Sequence, residues 1–434
     1  MKKILLTSLL SLLLVVGISG LPSITTFAQE TTEIGTNPPV QLLAGLNIAA
    51  DDESGLESRA LFLINPDTEE VWNFPLTTID GGAVLGQGMH VAITPDRQQI
   101  FFTMGGNEEL PLRLETFNIN WQDGQPSLNQ VSDKALIPAN TENVFGWGSD
   151  EPSAMQEGHG LNIDPTGKYA MWSNLNNHTV QTLRLADNEL LTDPIADETV
   201  YTPHGLFSNP SGTMAVTPNY AYGNQTATVW TLEEGIPSFA STVKMENDQV
   251  KGAWPHMAEW INDEQFLLPA GHETIDAPIN TYQAGLWLCS VNEDTCQSLM
   301  NETTEDAPEA GVIKGVSDLV WKSNEDGTIR VYVGEGNFLQ QDIKGGPVPG
   351  YISIWNVDPV SGQPAQFVKR LSAGDGLPED FRDVHGMCRT STHGYIMSFA
   401  SNYMLELDLD KDEISNIYNR EDDLIVPHGV ACSG

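Results

Sequence analysis

Seven short apolar segments of this chain each open on a side chain that can bind a metal ion. They read HVAITP from His90, HGLNIDP from His159, HGLFSNP from His204, HMAEWI from His256, DLVWKS from Asp318, HGMCRTS from His385 and HGVACSG from His428. The chain has nine histidines, and six of them occupy this one repeated position. Neutral imidazole suits copper, zinc, iron and nickel and is a poor match for the alkaline earths. A zinc-type site takes roughly four protein and solvent ligands, so six imidazoles and a carboxylate exceed the demand of one ion. The surplus either builds a cluster or supplies an acid, a base and the groups that orient the ligands. Copper stands highest in the divalent affinity series and is the expected cofactor, with iron as the alternative. A purely structural origin competes with this. Repeat proteins copy structural residues from unit to unit, and the glycine in the four HG openings serves a tight bend.

Convergence of these side chains needs a scaffold that repeats at their spacing. The intervals are 69, 45, 52, 62, 67 and 43 residues. Each holds several short strands, which is the mark of a β-propeller. The unit from His159 shows the grammar. HGLNID forms an inner strand A, Pro165-Thr166-Gly167 turns the chain, YAMWSN forms strand B with alternating apolar residues, TVQTLRL forms C, and TVYTP is expected as D. Five further intervals repeat the pattern, giving six blades. Two fragments remain: HGVACSG is a strand A with nothing after it, and QLLAGLNIAA, ALFLIN and EVWNFPL read as B, C and D with nothing before them. Joined, they make a seventh blade and remove the open sheet edges. The expected fold is all-β, a seven-bladed propeller whose terminal strands close the last blade, in a single domain over 29–434.

In such a ring strand A starts at one face of the central channel, and the B–C loops return to that face. Asp51, Asn174, Asn219, His272, Glu335 and Asn402 fall there. His272 follows strand B of the His256 unit and is expected to share the catalytic work with Asp318. Lys251 and Lys314 precede His256 and Asp318 and reach the same mouth. His393 falls in an A–B turn on the opposite face and is not expected to be a ligand. His178, at the start of a strand C, is expected on the surface.

Composition bounds the compartment and the partners. Met1-Lys2-Lys3, the apolar run Ile4 to Leu21 and Thr26-Phe27-Ala28 read as a signal peptide over 1–28, with the mature chain starting near Gln29. A periplasmic or secreted protein with no later membrane span is expected. Net charge is −39, from 59 acidic and 20 basic residues, which repels nucleic acid and anionic membrane. Four cysteines in an exported chain point to disulfides. Cys289 and Cys296 flank a hairpin turn, and Cys388 and Cys432 lie on the inner strands of adjacent blades; copper thiolate ligation is the alternative. The chain has no G-x-S-x-G elbow, no P-loop and no dinucleotide glycine fingerprint.

The B and C strands KYAMWSN and TVQTLRL resemble the YVTN-type propeller repeat. A histidine opening each strand A resembles the copper-bearing propeller of nitrous oxide reductase and the related thiocyanate dehydrogenases. That resemblance implies a copper cluster at the channel mouth, held by His90, His159, His204, His256, His385 and His428. Asp318 is compatible with it, because acidic residues occur in the thiocyanate dehydrogenase sites. The chain lacks a cupredoxin domain and the doubled histidine of nitrous oxide reductase, which argues against nitrous oxide reduction. The resemblance implies an oxidoreductase acting on a small sulfur or nitrogen compound, exchanging electrons with an external acceptor or donor. A four-histidine iron oxygenase is a second enzymatic reading. A non-enzymatic YVTN-like binding or cell-surface module is a third.

Overall fold

The computed structural model describes residues 38–47, 60–75, 88–106, 110–138, 141, 157–220, 226–245, 254–271, 285–299, 316–335, 350–382, 384–398, 401–419, 424 and 427–433. The signal segment and His272, with Asp51, Lys251 and Lys314, lie outside them. Within them the strands form seven antiparallel blades, six running outward in chain order and the seventh starting on the C-terminal strand; the outer strands of blades 3 and 4 also pair in parallel at Lys244–Met245 and Thr295–Cys296. Blade 1 comprises Gly88–Ile93, Gln99–Met104, Leu112–Gln122 and Gln125–Ile137. Blade 2 comprises Gly158–Ile163, Tyr169–Asn174 and Thr179–Arg184, with an outer edge in two pieces, Glu189–Leu190 and Ile195–Ala196. Blade 3 comprises Phe207–Ser208, Met214–Pro218, Thr226–Glu233 and Ile236–Met245. Blade 4 has a split inner strand, Trp254–Pro255 and Glu259–Trp260, then Gln265–Gly271, Gly285–Ser290 and Thr295–Ser298. Blades 5 and 6 start at Val316–Ser323 and Val384–Arg389 and add three strands each. In blade 7 the C-terminal strand Pro427–Ser433 pairs with Leu42–Asn47, which continues to Ala60–Asn65 and Glu70–Pro75. The terminal closure expected from the sequence is therefore present.

One strand expectation is corrected. Thr199 to Pro203 (TVYTP) is not the outer strand of blade 2. Asp197 caps a turn through the Thr199 N–H and hydroxyl, and Asn219 Oδ1 accepts from the Tyr201 N–H at 3.1 Å. Pro203 then bridges to Asn219. Local side-chain acceptors thus draw this segment inward as the lead-in to His204, and β-propensity yields to them.

Seven apolar clusters hold the blades together, one at each interface. The cluster between blades 1 and 2 joins Phe101 and Leu114 to Ala170 and Trp172. The cluster between blades 7 and 1 joins Leu61 and Leu63 to Phe102 and Trp121. The remaining five follow in turn and complete the ring. Side chains alternate between the two faces of a strand, so each middle strand feeds two clusters. In Gln99–Met104, Ile100, Phe102 and Met104 face blade 7 while Phe101 faces blade 2. Both faces are buried, which is why these strands read as nearly continuous apolar runs.

Both expected disulfides form: Cys289–Cys296 across a hairpin and Cys388–Cys432 between the inner strands of blades 6 and 7. They belong to an oxidising, non-cytoplasmic compartment. Among the described residues no helix is long and apolar enough to cross a membrane.

Candidate metal centre at the propeller axis

Inner strands run along the axis, and a regular strand would point its side chains at the neighbouring blades. Each inner strand departs from regular pairing where its repeated His or Asp falls. Register shifts lie between Gly88 and Val91, His159 and Asn162, Val316 and Leu319, and Val384 and Met387. In blade 7, Gly429 is the extra residue between His428 and Val430. Blades 3 and 4 reach the same end by breaking the strand: pairing resumes at Phe207 after His204, and at Glu259 after His256. A β-bulge re-aims a side chain, and here it turns the imidazoles toward the channel.

Glycine makes this bend feasible. Gly160, Gly205, Gly386 and Gly429 all have positive φ. A Cβ on Gly160 would lie 2.3 Å from the Gly205 Cα, so the inner strands of blades 2 and 3 approach too closely for any side chain. Hydrogen bonds from the preceding blade fix the bends. Thr103 donates to the Gly158 carbonyl at 2.7 Å, Ser173 accepts from the Gly205 N–H at 2.8 Å, and Asn162 donates to the Leu206 carbonyl at 2.7 Å.

Five imidazoles consequently meet. Ring centroids are 4.7 Å apart for His90 and His159, 4.3 Å for His159 and His204, 4.0 Å for His204 and His256, and 5.7 Å for His256 and His385. His159, His204 and His256 are buried, while His90 and His385 are partly so. His428 takes the seventh place by its backbone; its side chain is outside the described residues. Asp318 is buried beside His256. Its Oδ1 lies 3.2 Å from His256 Nδ1, and its Oδ2 accepts from the Gly386 N–H at 2.6 Å. Both carboxylate oxygens are thereby engaged, and the carboxylate holds His256 through Nδ1. The sequence allowed Asp318 to be ligand or base; its contacts favour an orienting role.

Two residues join the site that the sequence did not single out. Glu157 is buried, and its Oε2 lies 3.4 Å from His159 Nε2. That is within ion-pair reach but out of line for a hydrogen bond, and neither atom has a hydrogen-bond partner among the described residues. Tyr220 packs on His204 and His256, with centroids 4.8 and 5.3 Å away. Glu157 sits two residues before His159 and Tyr220 directly after Asn219. Among the seven repeats an acidic residue stands two before the ligand position only once more, at Asp383, and a tyrosine follows an expected B–C loop residue only once more, at Tyr403, so the periodic signal was weak.

The outer ring expected at this mouth is there in part, and it is structural. Asn174 donates to Thr179 and Gln181, and Asn219 to Thr226 and Thr228, at 2.8 to 3.2 Å. Glu335 is fully buried in an ion pair with Arg370 at 3.2 Å. These groups tie strand B to strand C. Asn402 holds a left-handed turn residue at φ 58°. His393 lies on the far face, 3.4 Å from Glu406, apart from the ring as expected. His178 has a left-handed backbone and is half-buried against Tyr201 at 4.7 Å rather than on the surface.

Charge and orphaned atoms test whether the set fits a metal. Burial holds His204 well below the ordinary imidazole range, and His256, His159, His90 and His385 push it further the same way. Its ring is neutral, as a ligand must be. His204 Nδ1 is buried with no hydrogen-bond partner among the described residues, an arrangement native interiors rarely tolerate. His90 Nε2 and His159 Nδ1 stand 3.1 Å apart; two donors on one tetrahedral ion, each at about 2.0–2.1 Å, lie roughly 3.3 Å from each other. The donor types and the closest pair therefore fit a transition-metal ion. Among the described residues, however, no three His, Cys, Asp or Glu are grouped as a complete metal-holding set. The described residues contribute two close pairs, His90–His159 and His256–Asp318, on opposite sides of His204.

No family model matches the chain, and no curated protein is similar to it in sequence. Solved structures share its fold. A protein from Lactobacillus plantarum aligns with a TM-score of 0.56 at 12% identity, over 91% of this chain and 99% of its own. A protein of unknown function from Desulfotomaculum acetoxidans aligns with a TM-score of 0.55 at 13% identity, over 90% and 98%. The periplasmic gluconolactonase of Pseudomonas aeruginosa aligns with a TM-score of 0.52 at 12% identity, over 90% and 99%. At these identities the likeness establishes the architecture, an all-β propeller spanning nearly the whole chain.

Proposed function

We propose that this protein is an exported copper-binding propeller that oxidises or reduces a small sulfur or nitrogen compound and exchanges electrons with an external partner. The observation that carries this is the meeting of imidazoles from blades 1, 2, 3, 4 and 6 at one end of the axis, with centroids 4.0 to 5.7 Å between ring neighbours. His90, His159, His204, His256 and His385 are the proposed ligands, with His428 completing the ring. Bound copper supplies one-electron redox chemistry. Asp318 holds the His256 tautomer, and Glu157 sets the charge beside His159. The buried His159, His204 and His256 side of the ring is shielded from bulk water, and Tyr220 walls it at blade 3. His272 keeps the acid–base role expected from its place after strand B of blade 4.

A non-enzymatic propeller is the competing reading. It draws support from the His90–His159 and His256–Asp318 pairs, which satisfy each other without an ion. Elemental analysis of protein exported during copper-replete growth separates the two. Copper at one or more ions per chain supports the proposal. Less than one transition-metal ion per chain after copper loading leaves only the structural role.

A further inference from the structure

A cavity of about 810 Å³ runs along the inner strands, from His90 and Asp318 to the A–B turns at Pro95, Pro165 and Pro210. It meets the histidine ring at His90 and Asp318. Its wall is largely apolar, with Leu161, Met257, Met387 and Val430 along it, but Glu259 and Arg389 also line it. The Arg389 guanidinium lies over the Trp321 ring, 4.4 Å from its centroid. Among the described residues no carboxylate forms an ion pair with it. Glu259 faces the same cavity and has no hydrogen-bond partner among the described residues.

We propose that the channel holds a binding site for small inorganic oxyanions, built on Arg389 with Trp321 as its backing. A planar guanidinium presents its donors in a fork that matches an oxyanion edge to edge. Stacking on an indole fixes the fork and leaves its N–H groups free to turn to a ligand. The low-polarity wall strengthens the attraction relative to water. The rest of the molecule, at net charge −39, repels anions, so an arginine inside the channel that forms no ion pair among the described residues is a local positive group in that field. Glu259 is compatible with an anion nearby: burial raises its carboxyl to about 7, with Arg389 pulling it down and Asp318 pushing it up. Near neutrality a large share of it is protonated and can donate a hydrogen bond. The site does not depend on metal in the histidine ring.

Nitrate is a suitable probe, being a planar oxyanion that quenches indole fluorescence. Quenching of the purified full-length mature chain by sodium nitrate, at ionic strength held constant with chloride, should contain a saturable component in the millimolar range. Arg389→Gln should abolish that component, and Arg389→Lys should retain it with at least several-fold weaker affinity. Glu259→Gln should strengthen it, since the residual negative charge is removed. Acrylamide, a neutral quencher, should act equally on all forms and so reports that the variants are folded. Saturation in Arg389→Gln equal to that of the parent, or its absence from the parent, overturns the proposal. Running the series with and without copper keeps this result separate from the fate of the metal reading.

Discussion

Asp318 stands where six other repeats have histidine, and its contacts give a physical reason. A histidine there would face the His256 imidazole and the Gly386 N–H with one acceptor at most. A carboxylate offers acceptors to both at once, at 3.2 and 2.6 Å. Asp318→Asn keeps the size but presents one oxygen and one NH2, so one of the two partners is lost. If Asp318 orients His256, copper affinity in this variant should fall ~10–100-fold, the usual loss on removing such support, while stoichiometry at saturating copper stays that of the parent. His204→Ala removes a buried ring and should lower stoichiometry itself. His393→Ala, on the far face, should change neither. Competition titration against a chelator of known affinity reads both quantities. A loss of copper ions in Asp318→Asn as large as in His204→Ala would make the aspartate a ligand.

At the scale of the strand, the decisive device is the bend after each ligand position. The HG pairs announced it: a glycine directly after histidine in four of seven repeats marks a backbone that needs positive φ, and all four adopt it. The remaining three bends were illegible, because His90, His256 and Asp318 are followed by valine, methionine and leucine. There the bulge or break arises from pairing with strand B and not from a local preference. The TVYTP segment departs from the expected strand for a related reason: its β-branched composition suits a strand, but the carboxylate of Asp197 and the amide of Asn219 supply nearer partners. Comparing two glycines isolates the close approach of the inner strands. Gly160 and Gly167 have similar φ, 57° and 68°, yet a Cβ on Gly160 meets the Gly205 backbone at 2.3 Å while one on Gly167 meets only Pro95 at 3.4 Å. Gly167→Ala should cost about 1–2 kcal/mol from its φ alone. Gly160→Ala should cost clearly more, and should also lower copper binding, since blades 2 and 3 must part at His159 and His204. Denaturant midpoints and metal content check the two effects; equal midpoints would show that the strands can move apart freely.

Seven blades were countable from the sequence because each interface buries both faces of its strands, and that requirement writes the apolar runs into the chain seven times over. What held the ring shut was legible only as two orphan fragments, and the structure joins them: Leu42–Asn47 and Pro427–Ser433 pair along their length. The Cys388–Cys432 disulfide then ties that last inner strand to blade 6 across 44 residues of sequence. These two devices differ in kind. The strand pairing supplies the inner edge of blade 7 and one wall each of its interfaces with blades 6 and 1, where Val430, Cys432 and Ala431 pack. The disulfide supplies only a restriction on the unfolded chain, worth about 2–5 kcal/mol. Replacing both cysteines by serine should therefore lower stability by that amount and leave a single cooperative transition, because the strand still docks. Deleting Pro427 to Gly434 should do something different: blade 7 loses its inner strand, an edge of Leu42–Asn47 is exposed for pairing with other chains, and cooperative unfolding should vanish together with soluble yield. Thermal unfolding followed by circular dichroism and size-exclusion chromatography distinguishes the two. A truncated chain that remains monomeric and melts like the parent would mean that the ring is held by its other six blades, and that closure through the termini contributes little.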